Sequence, residues 1–301
     1  MTYLSNISHE YVKHIECNKS KSINISIDAI RKILLNEIPE QSKLSLANLV
    51  SLNNSQIIHK FIPFGTITGR TTTRGPSITG IKKCFWSEIL SPPDGYIYAL
   101  YDYCQQEPAI AAIFSGADGL FKQYQKNDLY EFIGYELKHH ELSRSDLKRL
   151  ILPYLYGQRS DSYSKQNGIN IDLAAQLYSA LDNIFADVNN WLNQRCQQAF
   201  HDGVIKSLDW QMSVPQTINP LTIRNWPIQA AGADIMRRAC IYLSQDGFDL
   251  RLTNHDSFLM KIKKDAFERE NLKIIDVLKK SSAIVLGGNH LHVKLEAVFG
   301  Y

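Results

Sequence analysis

Two aspartates stand where apolar runs stop. Asp102 lies at the carboxyl end of the aromatic and apolar run from Tyr96 to Tyr103, and Asp256 lies in His255-Asp-Ser257, between the runs Asp249 to Asn254 and Phe258 to Lys263. Runs of this kind read as strands, the first of them buried. If the strands neighbour each other in one sheet, the two carboxylates meet at one edge, where mutual repulsion favours a shared divalent cation. Two-metal phosphoryl transfer needs that arrangement. A plainer reading makes Asp256 the cap of a hairpin and Asp102 the N-cap of the helix that follows, and on spacing alone it is preferred for each aspartate singly.

A second set is cationic. Arg144, Lys148, Leu152 and Tyr156 recur at intervals of four and so wind slowly around one helix face. Two cations and a phenol on one face suit a triphosphate and its sugar. A solvated surface helix has the same spacing and is the default without further context. Pro153 predicts a bend or an end just before Tyr156, because an interior proline removes a helical hydrogen bond.

The elements that must position these residues follow from pattern and punctuation. Residues 1–60 carry one amphipathic helix near Ile27 to Leu35 and a polar break from Ser51 to Gln56. From Lys60 to Ser87 there is no Asp or Glu before Ser87, while Lys60, Arg70, Arg74, Lys82 and Lys83 stand among Gly, Thr and Pro, an extended cationic segment suited to phosphates or to solvent. After the strand ending at Asp102 comes a helix from Gln105 to Phe114, with Pro108 in its first turn and Gly116 past its end. Further helices are predicted at about 128–140, 145–158, 172–202 and 228–246, then the two strands around His255-Asp-Ser257, a helix at about 265–282 and a strand from His292 to Val298. This order predicts the α+β class, an antiparallel sheet with helices gathered on one side.

The 301 residues, 44% of them hydrophobic and 21% charged, suffice for one large domain or two modest ones. The net charge of +3 gives no general preference for polyanions, so any anion site must rest on local charge. Five scattered cysteines without a C-x-x-C pair argue against a zinc site or disulfide framework and for a reducing, cytoplasmic setting. No apolar stretch approaches the roughly 20 residues of a membrane helix, and no membrane partner is expected.

In order, these segments resemble the polymerase module of family A (DNA polymerase I-like) enzymes over about residues 61–300. Thr68-Gly-Arg70 followed by three threonines is similar to T-G-R-x-S-S. Asp102-Tyr-Cys-Gln-Gln-Glu107 resembles motif A, D-Y-S-Q-I-E, and Arg144, Lys148, Tyr156 and Gly157 fit the spacing of motif B. Arg224 to Asp234 is similar to N-x-P-x-Q-G-x-A-A-D, and His255-Asp-Ser257 to motif C, H-D-E. Five segments in the correct order form a specific signal.

The resemblance implies a right-hand palm, helical fingers at about residues 120–210 and a reduced or absent thumb, with residues 1–60 as a reduced thumb or accessory region and 61–301 as palm and fingers. It implies two Mg²⁺ ions, with Mn²⁺ as a substitute, on Asp102, Asp256 and the backbone carbonyl of Tyr103. It places the nucleotide against Glu107, Arg144, Lys148, Leu152 and Tyr156, and the primer-template terminus against Arg70, Asn225, Gln229 and His255. Glu107 and Tyr156 together would bar a 2′-hydroxyl, so the implied substrates are dNTPs and a DNA primer-template. The length leaves no room for a 3′–5′ exonuclease, so a non-proofreading enzyme of low processivity is expected, with an accessory or processivity protein as a further partner. Residues 1–60 are expected to be a shortened thumb packed on the palm.

Three departures support a second reading. Ser257 replaces the motif C glutamate, and His-Asp-Ser-Phe258 is similar to single-subunit RNA polymerases; Leu152-Pro153 also resembles those enzymes, and Ala109 replaces the arginine that follows motif A. A primase-like or single-subunit RNA polymerase is therefore the alternative, and a catalytically silent nucleic-acid-binding descendant a third. Glu107, where RNA polymerases have a small residue, favours the DNA polymerase.

Overall fold

The apolar run that ends at Asp102 becomes a central strand of the four-stranded sheet. The protein is described here as a computed structural model covering residues 2–3, 5–139 and 141–300. The chain begins with strand β1 (Thr2–Tyr3), helix α1 (Asn6–Cys17), strand β2 (Ser22–Asn24), and helices α2 (Ile27–Leu34) and α3 (Glu40–Ser51). Short strands β3 (Gln56–Ile58), β4 (Lys60–Ile62) and β5 (Thr72–Arg74) lead through helix α4 (Trp86–Ile89) to β6 (Tyr96–Tyr103). Helices α5 (Gln106–Ser115), α6 (Asp118–Lys126), α7 (Leu129–Glu136), α8 (Arg144–Leu155), α9 (Ser160–Asn167), α10 (Ile171–Ile184) and α11 (Ala186–Asp202) follow. Strands β7 (Val204–Lys206) and β8 (Trp210–Ser213) precede α12 (Pro220–Gln245), strands β9 (Asp249–Asn254) and β10 (Ser257–Lys263), helix α13 (Phe267–Val285) and strand β11 (Val293–Phe299).

The residues fall into two compact units. One comprises Ser5–Cys104, Ile235–Ile284 and His290–Tyr301. Its sheet has the order β11-β6-β10-β9 with every neighbour antiparallel. The β6–β10 register sets Ser257 opposite Asp102 and Lys263 opposite Tyr96. On the other side Lys294 faces Asp102 and Leu295 faces Tyr101, but Ala297 faces Leu100, so Glu296 is the extra residue of a bulge. Leu100, Leu252, Leu259 and Phe299 of the sheet share one buried cluster with Ile30 and Ile33 of α2, Leu46 and Leu49 of α3, and Trp86 of α4. Burial of side chains this size stabilises by about 1.5–3 kcal/mol each. Ser26 fixes the start of α2 by accepting from the Ala29 amide at 3.2 Å.

The other unit comprises Met1–Leu4, Gln105–Asp234 and Val285–Asn289 and is mainly helical. Its helix starts are chemically marked: Asp128 caps α7, Ser143 and Asp146 form a capping box on α8, and Asn170 caps α10. Arg224 donates to Asn189 and Asn193, both at 2.6 Å; Asn189 donates to the Tyr154 hydroxyl, which donates to Asp182. Asp234 is fully buried and accepts from the Ser207 hydroxyl at 3.1 Å and the Leu208 amide at 2.9 Å, so it anchors the β7–β8 turn.

The α+β class is as the sequence predicts; where one amphipathic helix is expected in residues 1–60, the chain forms three, α1, α2 and α3. The helix expected over 172–202 is instead two, broken at Phe185, a fully buried residue with φ −101° and ψ 22°. Helix α12 starts at Pro220 rather than near residue 228 and runs through Pro227. Pro220 suits a first helical position, and Asn219 accepts from the Leu221 amide at 2.9 Å. Helix α7 stops at Glu136, earlier than expected, and α6, α9 and the β7–β8 pair add elements the pattern did not mark.

Candidate functional site

The β6–β10 pairing brings the two strand-end aspartates to the same end of the strand pair. Ser257 is opposite Asp102, and the Tyr103 amide donates to the Asp256 carbonyl at 3.1 Å. Asp102 is not a helix cap: α5 begins after Gln105, which has the left-handed φ of 50°. Asp256 occupies the β9–β10 turn beside His255, an exposed residue at φ 55°. Outside glycine, backbone of this kind is uncommon and costs energy that the surroundings must offset. Ser257, in the motif C glutamate position, is buried and donates to the Asn254 carbonyl at 2.8 Å, closing the turn.

A lysine and a third carboxylate complete the charge cluster. Lys83 Nζ lies 2.6 Å from Glu296 Oε2 and 3.5 Å from Asp102 Oδ2. Burial, and next the nearby Asp256 charge, push the Asp102 carboxyl up to about 7, with Lys83 opposing. Burial also works to raise the Glu296 pKa, but its hydrogen bond and ion pair with Lys83 outweigh that and hold it below the usual carboxylate range.

The donor set fits a hard divalent cation. Among the described residues no three His, Cys, Asp or Glu side chains gather around one point. Mg²⁺ nevertheless keeps several waters and is bound through one or two carboxylates plus substrate phosphates. The Lys83 ammonium beside Asp102 marks where positive charge is already stabilised.

In the same unit, Arg70 closes a tight turn. The Gly69 amide donates to the Thr66 carbonyl at 3.0 Å and the Arg70 amide to the Thr66 hydroxyl at 3.0 Å, with Gly69 at φ 74°. Arg237 of α12, 2% exposed, donates from Nη1 to the Gly69 carbonyl at 2.7 Å and lies over the Phe64 ring at 4.7 Å. Tyr11 and Thr71 share a hydroxyl hydrogen bond of 2.8 Å beside it. A buried guanidinium thus holds the backbone that carries Arg70.

The helical unit carries the remaining predicted residues. Arg144 opens α8 and Tyr156 is its C-cap, so the helix passes through Pro153 and ends at Tyr156. Arg144 pairs with Asp128 at 2.7 Å and lies over Tyr130 at 5.3 Å. The same Asp128 caps α7 and accepts from Gln105 Nε2 at 2.6 Å, linking motif A to the start of motif B. Lys148 is exposed one turn on, and Leu152 is half-buried. Asn225 donates to the Tyr156 carbonyl at 3.3 Å, which joins these two predicted residues directly. Glu107 lies in the first turn of α5 and Gln229 in α12, both half-buried.

Sequence reasoning missed Glu296, Asp128 and Arg237, and took Lys83 only as one charge of a cationic segment. The α7 cap was open to recognition from Asp128 preceding Leu129-Tyr-Glu131. No sequence signal marks the bulge that makes Glu296 the extra residue of β11.

A family model described as DNA polymerase family A matches residues 30–301. DNA polymerase I of Chloroflexus aurantiacus is 23% identical over 269 residues, covering 78% of this chain and 28% of that protein. The DNA polymerase of Mycobacterium phage D29 is 24% identical over 191 residues, 60% of this chain and 30% of that one. DNA polymerase I of Aquifex aeolicus is 22% identical over 273 residues, 82% of this chain and 46% of that protein. The chain therefore spans between about a quarter and a half of the length of these relatives. In fold it is similar to the POL domain of Pol1 from M. smegmatis, solved in complex with DNA primer-template and dNTP, with a TM-score of 0.75 at 20% identity over 86% of this chain and 50% of that one. With its ordered motifs and a family match that reaches from the second helix to the last residue, the chain belongs to DNA polymerase family A.

Proposed function

We propose that this chain extends a DNA primer by template-directed addition of dNTPs, using divalent metal ions on Asp102 and Asp256. The observation that supports this reading is the β6–β10 register, which brings the backbone of Asp102 and of the turn holding Asp256 to the same end of the strand pair. The family membership and the presence of primer-template and dNTP in the complex of a similar fold support it.

Two Mg²⁺ ions, when bound, would lower the pKa of the primer 3′-hydroxyl and neutralise the departing pyrophosphate. The chain's own residues do the holding. Asp102 and Asp256 supply hard oxygen donors, joined in this reading by the Tyr103 carbonyl. Arg144 grips phosphate as a planar fork and Lys148 as a point charge; in the free chain Arg144 is engaged with Asp128, so phosphate takes over from a carboxylate. Glu107 and Tyr156 exclude a 2′-hydroxyl. Arg70, Asn225, Gln229 and His255 meet the primer-template terminus through minor-groove acceptors that all base pairs share, so sequence is read by base pairing. We assign the sheet unit to the palm and the helices between about residues 120 and 210 to the fingers.

Extension of one labelled primer-template with dNTPs and rNTPs in parallel tests the reading. The expected result is Mg²⁺-dependent dNTP incorporation that Asp102→Ala abolishes. Preferential rNTP use that Glu107→Ala leaves unchanged would favour the RNA polymerase alternative. Folded wild type with no extension, indistinguishable from Asp102→Ala, would sink both. Among the described residues no helix is long and apolar enough to cross a membrane.

A further inference from the structure

We propose that Lys83, tethered by Glu296, is the built-in counter-cation of the metal site, leaning on Asp102 until a divalent ion displaces it. The inference rests on the polymerase reading of Asp102 and Asp256 and adds two positioning residues to it. Its basis is an asymmetry of distances. Lys83 Nζ is 2.6 Å from Glu296 Oε2, a strong charge-assisted contact, but 3.5 Å from Asp102 Oδ2. The ammonium is therefore anchored on one carboxylate and only shared with the other.

Three structural facts make the arrangement specific. Ser257, which stands where a third carboxylate of motif C would be, is turned to the Asn254 carbonyl. Glu296 enters instead from the strand on the other side of β6, as the extra residue of the β11 bulge, and bulges commonly re-aim a side chain. Lys83 itself opens a short 3₁₀ turn, Lys83–Phe85, whose Phe85 amide bonds back to the Lys82 carbonyl at 3.0 Å. Local structure therefore fixes both ends of the pair.

Without metal, Asp102 sits by the Asp256 charge and shares a hydrogen bond with Glu296, and Lys83 is the cation that offsets the crowded carboxylates. When a divalent ion takes Asp102, the ammonium withdraws onto Glu296, where its own charge stays paired. Glu296 thus serves as the resting place of Lys83 and keeps it from closing fully on Asp102. The two members of one ion pair then act on metal affinity in opposite directions.

Mn²⁺ titration of the whole chain without DNA or nucleotide, followed by the paramagnetic resonance of free Mn²⁺, reads this directly. Lys83→Met is expected to tighten Mn²⁺ binding about tenfold, because one nearby positive charge is removed from a partly desolvated site. Glu296→Gln is expected to weaken binding several-fold in the wild-type background by releasing Lys83 onto Asp102, and to have no effect once Lys83 is already Met. Failure of Lys83→Met and Lys83→Gln alike to tighten binding overturns the proposal, as does an equal Glu296→Gln effect in both backgrounds, which would be simple loss of charge. Asp102→Asn should abolish the Mn²⁺ signal. If the wild type binds no Mn²⁺, or Asp102→Asn binds it equally, the metal-site reading itself fails and this inference with it. Thermal melts confirm that each variant is folded.

Discussion

Ser257 stands directly opposite Asp102 in the β6–β10 ladder and gives its hydroxyl to the Asn254 carbonyl. The residue that follows the turn aspartate therefore shapes the turn, while Glu296, from the opposite neighbouring strand, shares Lys83 with Asp102. The site's charge balance spans three strands and cannot be read from motif C alone.

Asp102→Asn should separate catalysis from stability. Its folded-state pKa of about 7 lies above the ordinary carboxylate value, so above pH 7 the folded chain holds a charge that burial and Asp256 disfavour. In metal-free buffer at pH 8 the variant should be more stable by on the order of 1–3 kcal/mol, measured by urea denaturation. Single-turnover extension should fall by at least about a thousandfold.

Glu107→Ala should relax sugar selection. On the reading that Glu107 and Tyr156 bar a 2′-hydroxyl, removing the carboxylate should raise the ratio of rNTP to dNTP kcat/KM by roughly a hundredfold. The urea midpoint should change little, because Glu107 lies in the first turn of α5, where an alanine is also tolerated.

Arg237→Met should loosen the turn that carries Arg70. Loss of the bond to the Gly69 carbonyl leaves a buried acceptor without its charged donor, at a cost of about 1–3 kcal/mol. Affinity for primer-template without metal, followed by fluorescence anisotropy, should weaken, and Arg237→Lys should restore part of it.

His59 should give the chain an acid-sensitive limb. The ring is 4% exposed, its Nε2 accepts from the Ile78 amide at 3.3 Å, and burial lowers its pKa to about 4. Above pH 6.5 it is neutral in both states and contributes no pH dependence. As pH falls from 6.5 towards 4 the unfolded chain gains the proton first, so stability is lost across that window, by about 1.4 kcal/mol per unit of pKa difference at most. In His59→Gln this part of the slope of unfolding free energy against pH should flatten.

Much of the site-bearing sheet was legible because its signals are local. Tyr96 to Tyr101 is apolar throughout and the run to Tyr103 emerges as β6 with the same bounds, while the turn at His255-Asp256 is bracketed by the alternating Asp249 to Asn254 and the largely apolar Phe258 to Lys263. The break at Phe185 was not legible, since Ile184-Phe185-Ala186 holds no glycine or proline and both flanking helices keep apolar periodicity. The helix expected from about residue 228 begins earlier, at Pro220, and passes through Pro227. Glu296 and Arg237 escaped because their roles arise from pairing at long sequence separation: Glu296 meets Lys83, and Arg237 meets Gly69. Asp102 and the turn holding Asp256 also meet through long-range pairing; spacing alone favoured a capping role for each, and only the ordered motifs linked them.

Strand β6 is hydrogen-bonded to β10 on one side and β11 on the other, whereas Asp256 sits in the turn where β10 meets β9. Amide hydrogens along β6 should exchange with solvent only when the whole sheet opens, while those around the strained His255 exchange through local fraying. The two aspartates thus belong to parts of the chain with very different lifetimes. On gentle heating the site should come apart at its Asp256 half first, so activity should fade reversibly at temperatures where the sheet itself is still intact.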